Sequence, residues 1–141
     1  MQISSRFTIA VHILACIKYF EGHVFITSDF LAGSIQVNPV IIRRVIIQLK
    51  AAGMVKVGRG RGGIKLARNV EDITLYDVYS AVEVVSNKGL FHFHEHPNHE
   101  CPVGKMIHAA LDDSLHEIQR AFEDKMKNIT MKDITDITGK Y

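Results

Sequence analysis

The stretch from Leu49 to Ala67, LKAAGMVKVGRGRGGIKLA, limits the possible folds more than any other part of the chain. A helical pattern stops at Gly53, two short β-prone runs follow, and Arg59-Gly60-Arg61-Gly62-Gly63 has to reverse the chain between them. Glycine reaches positive φ at little steric cost, so this run suits the tip of a tight hairpin. Its arginines place guanidinium forks on an exposed finger whose backbone can approach another surface closely, as phosphate or minor-groove contact needs. The same residues would equally suit an ordinary hairpin with solubilising charges.

The residues upstream weigh on that choice. In Gln36-Val37-Asn38-Pro39, Asn is a strong N-cap and Pro at the first helical position gives up no needed amide, so a helix is predicted from Pro39 to Ala52. Ile42, Val45, Ile46 and Leu49 follow the i, i+3, i+4, i+7 rule and face a core, while Val40, Arg43, Arg44 and Ile47 point elsewhere. A shorter helix, Asp29 to about Ser34, is capped by Thr27 or Ser28. Two short helices, a tight turn and an adjoining β-ribbon make a winged helix-turn-helix, whose second helix enters the major groove by its N-terminal end. Arg43 and Arg44 lie near that end, where an Arg can donate both forks to guanine O6 and N7. The alternative for both is contact with phosphates or solvent.

Charge supports a polyanionic partner. Residues 1–68 carry ten Lys/Arg against Glu21 and Asp29, a net of +8, whereas residues 69–141 carry seven against thirteen acids, a net of −6. Such a split directs one half to a polyanion and the other to something else. With 141 residues and 47% hydrophobic content, the chain can bury one core. It holds two cysteines, Cys16 and Cys101, too few for a disulfide framework. No apolar run reaches the ~20 residues of a membrane span. The apolar opening, with Phe7, Ala10, Val11, Leu14, Ala15, Ile17 and Tyr19, reads as a largely buried first helix from Ser4 or Ser5 to about Phe20 of a cytoplasmic protein. Val24-Phe25-Ile26 is β-prone and a candidate to pair with the wing's edge.

Beyond Arg68 the character changes. Thr74-Leu75-Tyr76-Asp77 has capping-box spacing ahead of a helix with Leu75, Val78, Tyr79 and Val82 on its apolar face. Residues 86–102 have no apolar period. From Val103 to Ile129 a long helix carries Ile107, Leu111, Leu115, Ile118, Phe122, Met126 and Ile129 in one seam, better covered by a second copy than by its own core. Packing within the chain is the alternative. Thr130-Met131-Lys132-Asp133 repeats the Thr-x-x-acid start and opens a final helix ending near Ile137. The chain is therefore expected to be mainly α with a small β-ribbon, divided into a winged helix-turn-helix (1–85), a His-rich loop (86–102) and a dimerisation helix with a C-terminal helix (103–141).

Together, Leu49 with Ala52-Gly53-Met54-Val55, then Gly58-Arg59-Gly60-Arg61-Gly62-Gly63-Ile64-Lys65-Leu66-Ala67-Arg68 and Ile73-Thr74-Leu75, resemble the Rrf family of bacterial winged-helix regulators. The resemblance covers nearly the whole chain. It implies a homodimer held by the long helix, with Ile107, Leu111, Leu115, Ile118 and Phe122 at the interface, on a palindromic DNA operator. By position it implies that Asn38, Val40, Ile41 and Arg43 face bases and that Arg59 is the wing arginine; Arg44 and Arg61 join them from the residue reading. Val40 and Ile41 are apolar, which suits thymine methyls or sugars. Many members sense through an iron–sulfur cluster held by three cysteines before the dimer helix. Here only Cys101 stands in that loop, and clusters require several thiolates, so such a cluster is not expected.

The loop instead offers His92, His94, His96 and His99, ligand types for a transition metal, or simply a solvated polar loop. Cys101, just before a helix start, is a candidate redox sensor, and Cys16 reads as inert packing. The sequence thus points to a DNA-binding regulator, read as a repressor, with a metal-binding protein as the rival. An enzyme is not expected, because no Ser/His/Asp set, carboxylate pair or phosphate-cradling loop has the right context.

Overall fold

The computed structural model describes residues 4–59, 62–83, 90, 91 and 93–138. Its order is α1 (Ser5–Phe20), α2 (Ser28–Ile35), α3 (Pro39–Ala51), β1 (Val55–Val57), β2 (Ile64–Leu66), a 3-10 turn (Val70–Asp72), α4 (Leu75–Val82), α5 (Pro102–Lys127) and α6 (Met131–Thr138). Among the described residues no single helix is long and apolar enough to cross a membrane.

α1 forms the hub of the core and packs against α2, α3, α4, α6 and β2. Its buried residues are Ile9, Ala10, Ile13, Leu14, Cys16 and Ile17, so the stripe is displaced from the one expected: Phe7, Val11 and Ala15 are only partly covered and Tyr19 is exposed. A helix packed by several neighbours has no single apolar face for periodicity to report.

α3 is defined sharply at both ends. At its start the Asn38 Oδ1 accepts from the Val40 N–H at 2.8 Å, with Pro39 in the first turn. At its end Gly53 takes φ +76°, its N–H donates to the Lys50 carbonyl and the Met54 N–H donates to the Leu49 carbonyl, both at 3.0 Å. These two bonds make a Schellman stop, and the accompanying contact is apolar because Leu49 and Met54 are both buried. The chain then enters the core at Met54 and Val55 and leaves along β1.

Helices α2, α4 and α6 start from threonine side-chain caps, the last two with the Thr-x-x-acid spacing that the sequence shows. Thr27 accepts from the Phe30 N–H at 3.0 Å. Thr74 and Asp77 exchange bonds at 3.0 and 3.1 Å, and Thr130 and Asp133 do so at 2.9 and 3.3 Å.

Two parts differ from expectation. Met131 is fully buried and α6 packs on α1, so the C-terminal helix rejoins the first unit rather than travelling with α5. Short backbone pairing around Thr74 and Thr130 holds it there: the Leu75 N–H donates to Ile129 at 2.8 Å and the Met131 N–H to Ile73 at 2.7 Å. The α5 seam also splits. Met126 is buried and Phe122 meets Tyr79 edge-on at 5.7 Å, so this end packs within the chain. Leu111 and Ile118 stay exposed, joined by Val103 and Met106, which the seam had omitted.

Candidate nucleic-acid interface

α2 and α3 meet at a bend of 114° across Gln36-Val37-Asn38, within the range that defines a helix-turn-helix. Gln36 makes the turn in the left-handed region at φ +64°, with its N–H donating to Ala32 and its side-chain amide to the Gly33 carbonyl, each at 2.9 Å. Ile42, Val45, Ile46 and Leu49 anchor α3 to the core. The opposite face therefore presents Val40, Arg43, Arg44 and Ile47 to solvent, and Val40 remains 47% exposed. Ile41, on the flank, is exposed as well, and Asn38 lies exposed at the helix start with its oxygen committed to the cap. Arg43 carries an ion pair to Asp29 of α2 at 3.6 Å.

The wing is a two-stranded antiparallel ribbon in which Val55 faces Leu66, Lys56 faces Lys65 and Val57 faces Ile64. Its tip closes through the Gly58 N–H, which donates to the Gly63 carbonyl at 2.8 Å. Gly63 has φ +64°, and a Cβ there would crowd the Ile26 carbonyl and the Phe25 ring. Val24-Phe25-Ile26 is not a strand, yet the Ile64 N–H donates to Ile26 at 3.0 Å, so the expected edge contact reduces to one bond that seats the wing on the body. Arg59 is exposed at the tip, and Arg61 lies outside the described residues.

The register reveals two residues that sequence reasoning passed over. Lys56 and Lys65 stand directly opposite each other and are both exposed. Like charges so placed destabilise a ribbon in water, and a polyanion laid along it reverses the sign of that interaction. Strand register was the missing signal. Arg68 drops out of the basic surface, because its guanidinium reaches the Asp72 carbonyl and the Asp77 carboxylate and braces the α4 cap.

The loop before α5 is a separate matter. Cys101 precedes α5 and is fully exposed, and the open backbone N–H groups of Gly104 and Val103 hold its thiol below the usual value. A Cβ at Gly104 would collide with the Asn98 carbonyl, so glycine there lets the loop close on the helix. Cys16 is buried, with its sulfur 3.5 Å from the Ser34 hydroxyl. Among the described residues, His94, His96 and His99 do not converge on one point. His92 lies outside the described residues, His94 stacks edge-on against His108 at 5.4 Å between ring centres, and His96 and His99 are exposed. Among the described residues no three His, Cys, Asp or Glu side chains converge as a metal site.

A helix-turn-helix with an arginine-tipped wing beside an exposed basic helix defines a winged-helix DNA-binding transcription regulator. The chain belongs to the Rrf2 family, described as iron-dependent transcriptional regulators, which matches residues 3–137. It is similar to the candidate HTH-type transcriptional regulator YwnA of Bacillus subtilis (strain 168), at 39% identity over 133 residues covering 94% of this chain and 96% of that one. A crystal structure of a candidate DNA-binding protein is 35% identical, with TM-score 0.74 over 92% of this chain and 98% of that one. The structure of T. potens IscR, 19% identical, shares the fold at TM-score 0.72, covering 98% of this chain and 88% of that one. The protein is a transcription regulator and not an enzyme.

An iron–sulfur cluster does not fit the thiols of this chain. The chain has two thiols in all, one packed in the core against Ser34 and one exposed ahead of α5. An iron–sulfur cluster is held by several thiolates drawn together, and these residues do not supply them.

Proposed function

We propose that the protein is a homodimeric repressor that acts in the cytoplasm on a palindromic operator. Each α3 enters the major groove by its N-terminal half, with Arg43 and Arg44 toward base edges and Val40 and Ile41 against thymine methyls or sugars. Each wing lays Arg59, Arg61, Lys56 and Lys65 along the phosphates. The observation that carries this reading is the juxtaposition of an exposed Val40/Arg43/Arg44 face with a wing whose two lysines stand opposed. Dimerisation rests on the exposed apolar row of Val103, Met106, Leu111 and Ile118 along α5, a row better buried against a second copy than left in water.

Regulation enters at Cys101, whose exposure and lowered pKa favour thiolate chemistry. A peroxide takes two electrons from the sulfur, an S–O bond replaces the O–O bond, and water leaves. The sulfenic acid formed at the start of α5 then alters operator affinity.

Binding to a duplex site selected from a randomised pool tests the DNA reading. Log affinity falls with log salt, and Arg59→Ala removes two phosphate contacts per dimer, so the slope decreases by about 2. An unchanged slope and affinity would take the wing off the DNA.

A further inference from the structure

Residues 1–68 contain two acids, and one of them, Asp29, stands on the DNA-facing side of the motif against the candidate base reader. A carboxylate there repels phosphates, so its presence calls for a compensating role. Asp29 lies in the first turn of α2, and the 114° bend brings that turn beside the start of α3. Its Oδ1 is 3.6 Å from an Arg43 guanidinium nitrogen, with the two side chains 80% and 55% exposed. At that exposure the pair adds little to folding. It can act strongly on direction, however, because a free arginine samples many rotamers and gives up that freedom on docking.

We propose that Asp29 is a positioning residue that sets sequence preference: its carboxylate aims the Arg43 fork at one base pair of each half-site. The pair also occupies the charge of Arg43, which reduces its attraction to the nearest phosphate and leaves the bidentate acceptors of guanine as the favourable target. Expulsion of water at the protein–DNA surface strengthens the contact as the complex forms. This rests on the DNA-binding reading above and deepens it by naming what governs selectivity.

The test uses the full-length protein, a duplex site selected from a randomised pool, and the same site altered one base pair at a time. Discrimination is the ratio of affinities for the selected and altered duplexes. Asp29→Ala is expected to lose about threefold to tenfold of that ratio at the Arg43-dependent base pair. Its affinity for random-sequence DNA should rise, because a repelling charge is gone. Asp29→Asn should behave the same way, and in an Arg43→Ala background Asp29→Ala should change the ratio no further. If Asp29 merely stabilises the start of α2, its removal lowers the melting temperature and weakens every duplex alike, leaving the ratio intact; that result overturns the proposal. Retention of the wild-type ratio in Asp29→Ala while Arg43→Ala loses it overturns the aiming role and leaves the DNA reading standing. Equal affinity of the wild type for all duplexes overturns both.

Discussion

The recognition half and the α5 half solve the problem of an exposed surface differently. α3 buries four apolar residues, starts on an Asn cap, stops on a Schellman glycine, and shows solvent a face whose charges suit a polyanion. α5 buries Met126 at one end and leaves Val103, Met106, Leu111 and Ile118 exposed, with Ile118 at 52%. The first surface is complete within one chain and awaits DNA. The second leaves apolar area exposed among the described residues, and it is the area that the proposed second copy would cover. DNA contact belongs to the first half, and the proposed assembly to the second.

The largest effect should come from breaking assembly. Leu111→Asp with Ile118→Asp places carboxylates in the proposed interface, and burying unpaired charge costs several kcal/mol. Light scattering should show a folded monomer, and operator affinity should collapse because one recognition helix cannot span two half-sites. An unaltered dimer would move the interface elsewhere. Next comes Arg43→Ala, which should reduce discrimination at one base pair per half-site by about 1–3 kcal/mol while changing nonspecific binding less. Uniform weakening across operator variants would make Arg43 a phosphate contact.

Smaller again is Gly53→Ala. It forces a side chain into the left-handed region at the end of α3 and should cost about 1 kcal/mol in thermal or denaturant unfolding. A neutral result would show that the Schellman stop is not what fixes α3. The smallest effect concerns Cys101. Thiolate, not thiol, is alkylated, and the lowered pKa carries the pH midpoint of its reaction below that of an ordinary cysteine. Alkylation followed by mass spectrometry across pH should label Cys101 before Cys16; a midpoint at or above the ordinary value removes the activated thiol.

The recognition half was legible in the sequence because its signals are local. Asn38-Pro39, the Thr-x-x-acid starts at Thr74 and Thr130, and Gly53 act within one turn, so composition and spacing specify them. The Lys56–Lys65 pair, the Asp29–Arg43 contact and the return of α6 to α1 were not legible, since each depends on residues brought together by folding. Periodicity along α5 picked out an apolar seam but left out Val103 and Met106. It could not tell that Phe122 and Met126 pack within the chain while Leu111 and Ile118 stay exposed among the described residues, because the amino acids at both ends of the seam are alike.

A hydroxyl-radical footprint on a selected duplex, combined with the number of chains bound per site, bears most directly on the central claim that two copies read DNA through α3 and the wing. The expected pattern is two chains per site and two protected segments related by a dyad, their centres about 10 bp or a multiple of that apart. The protection should vanish from both segments together in the Leu111→Asp, Ile118→Asp protein. One chain on a single asymmetric segment, or paired protection that survives that double substitution, would contradict it.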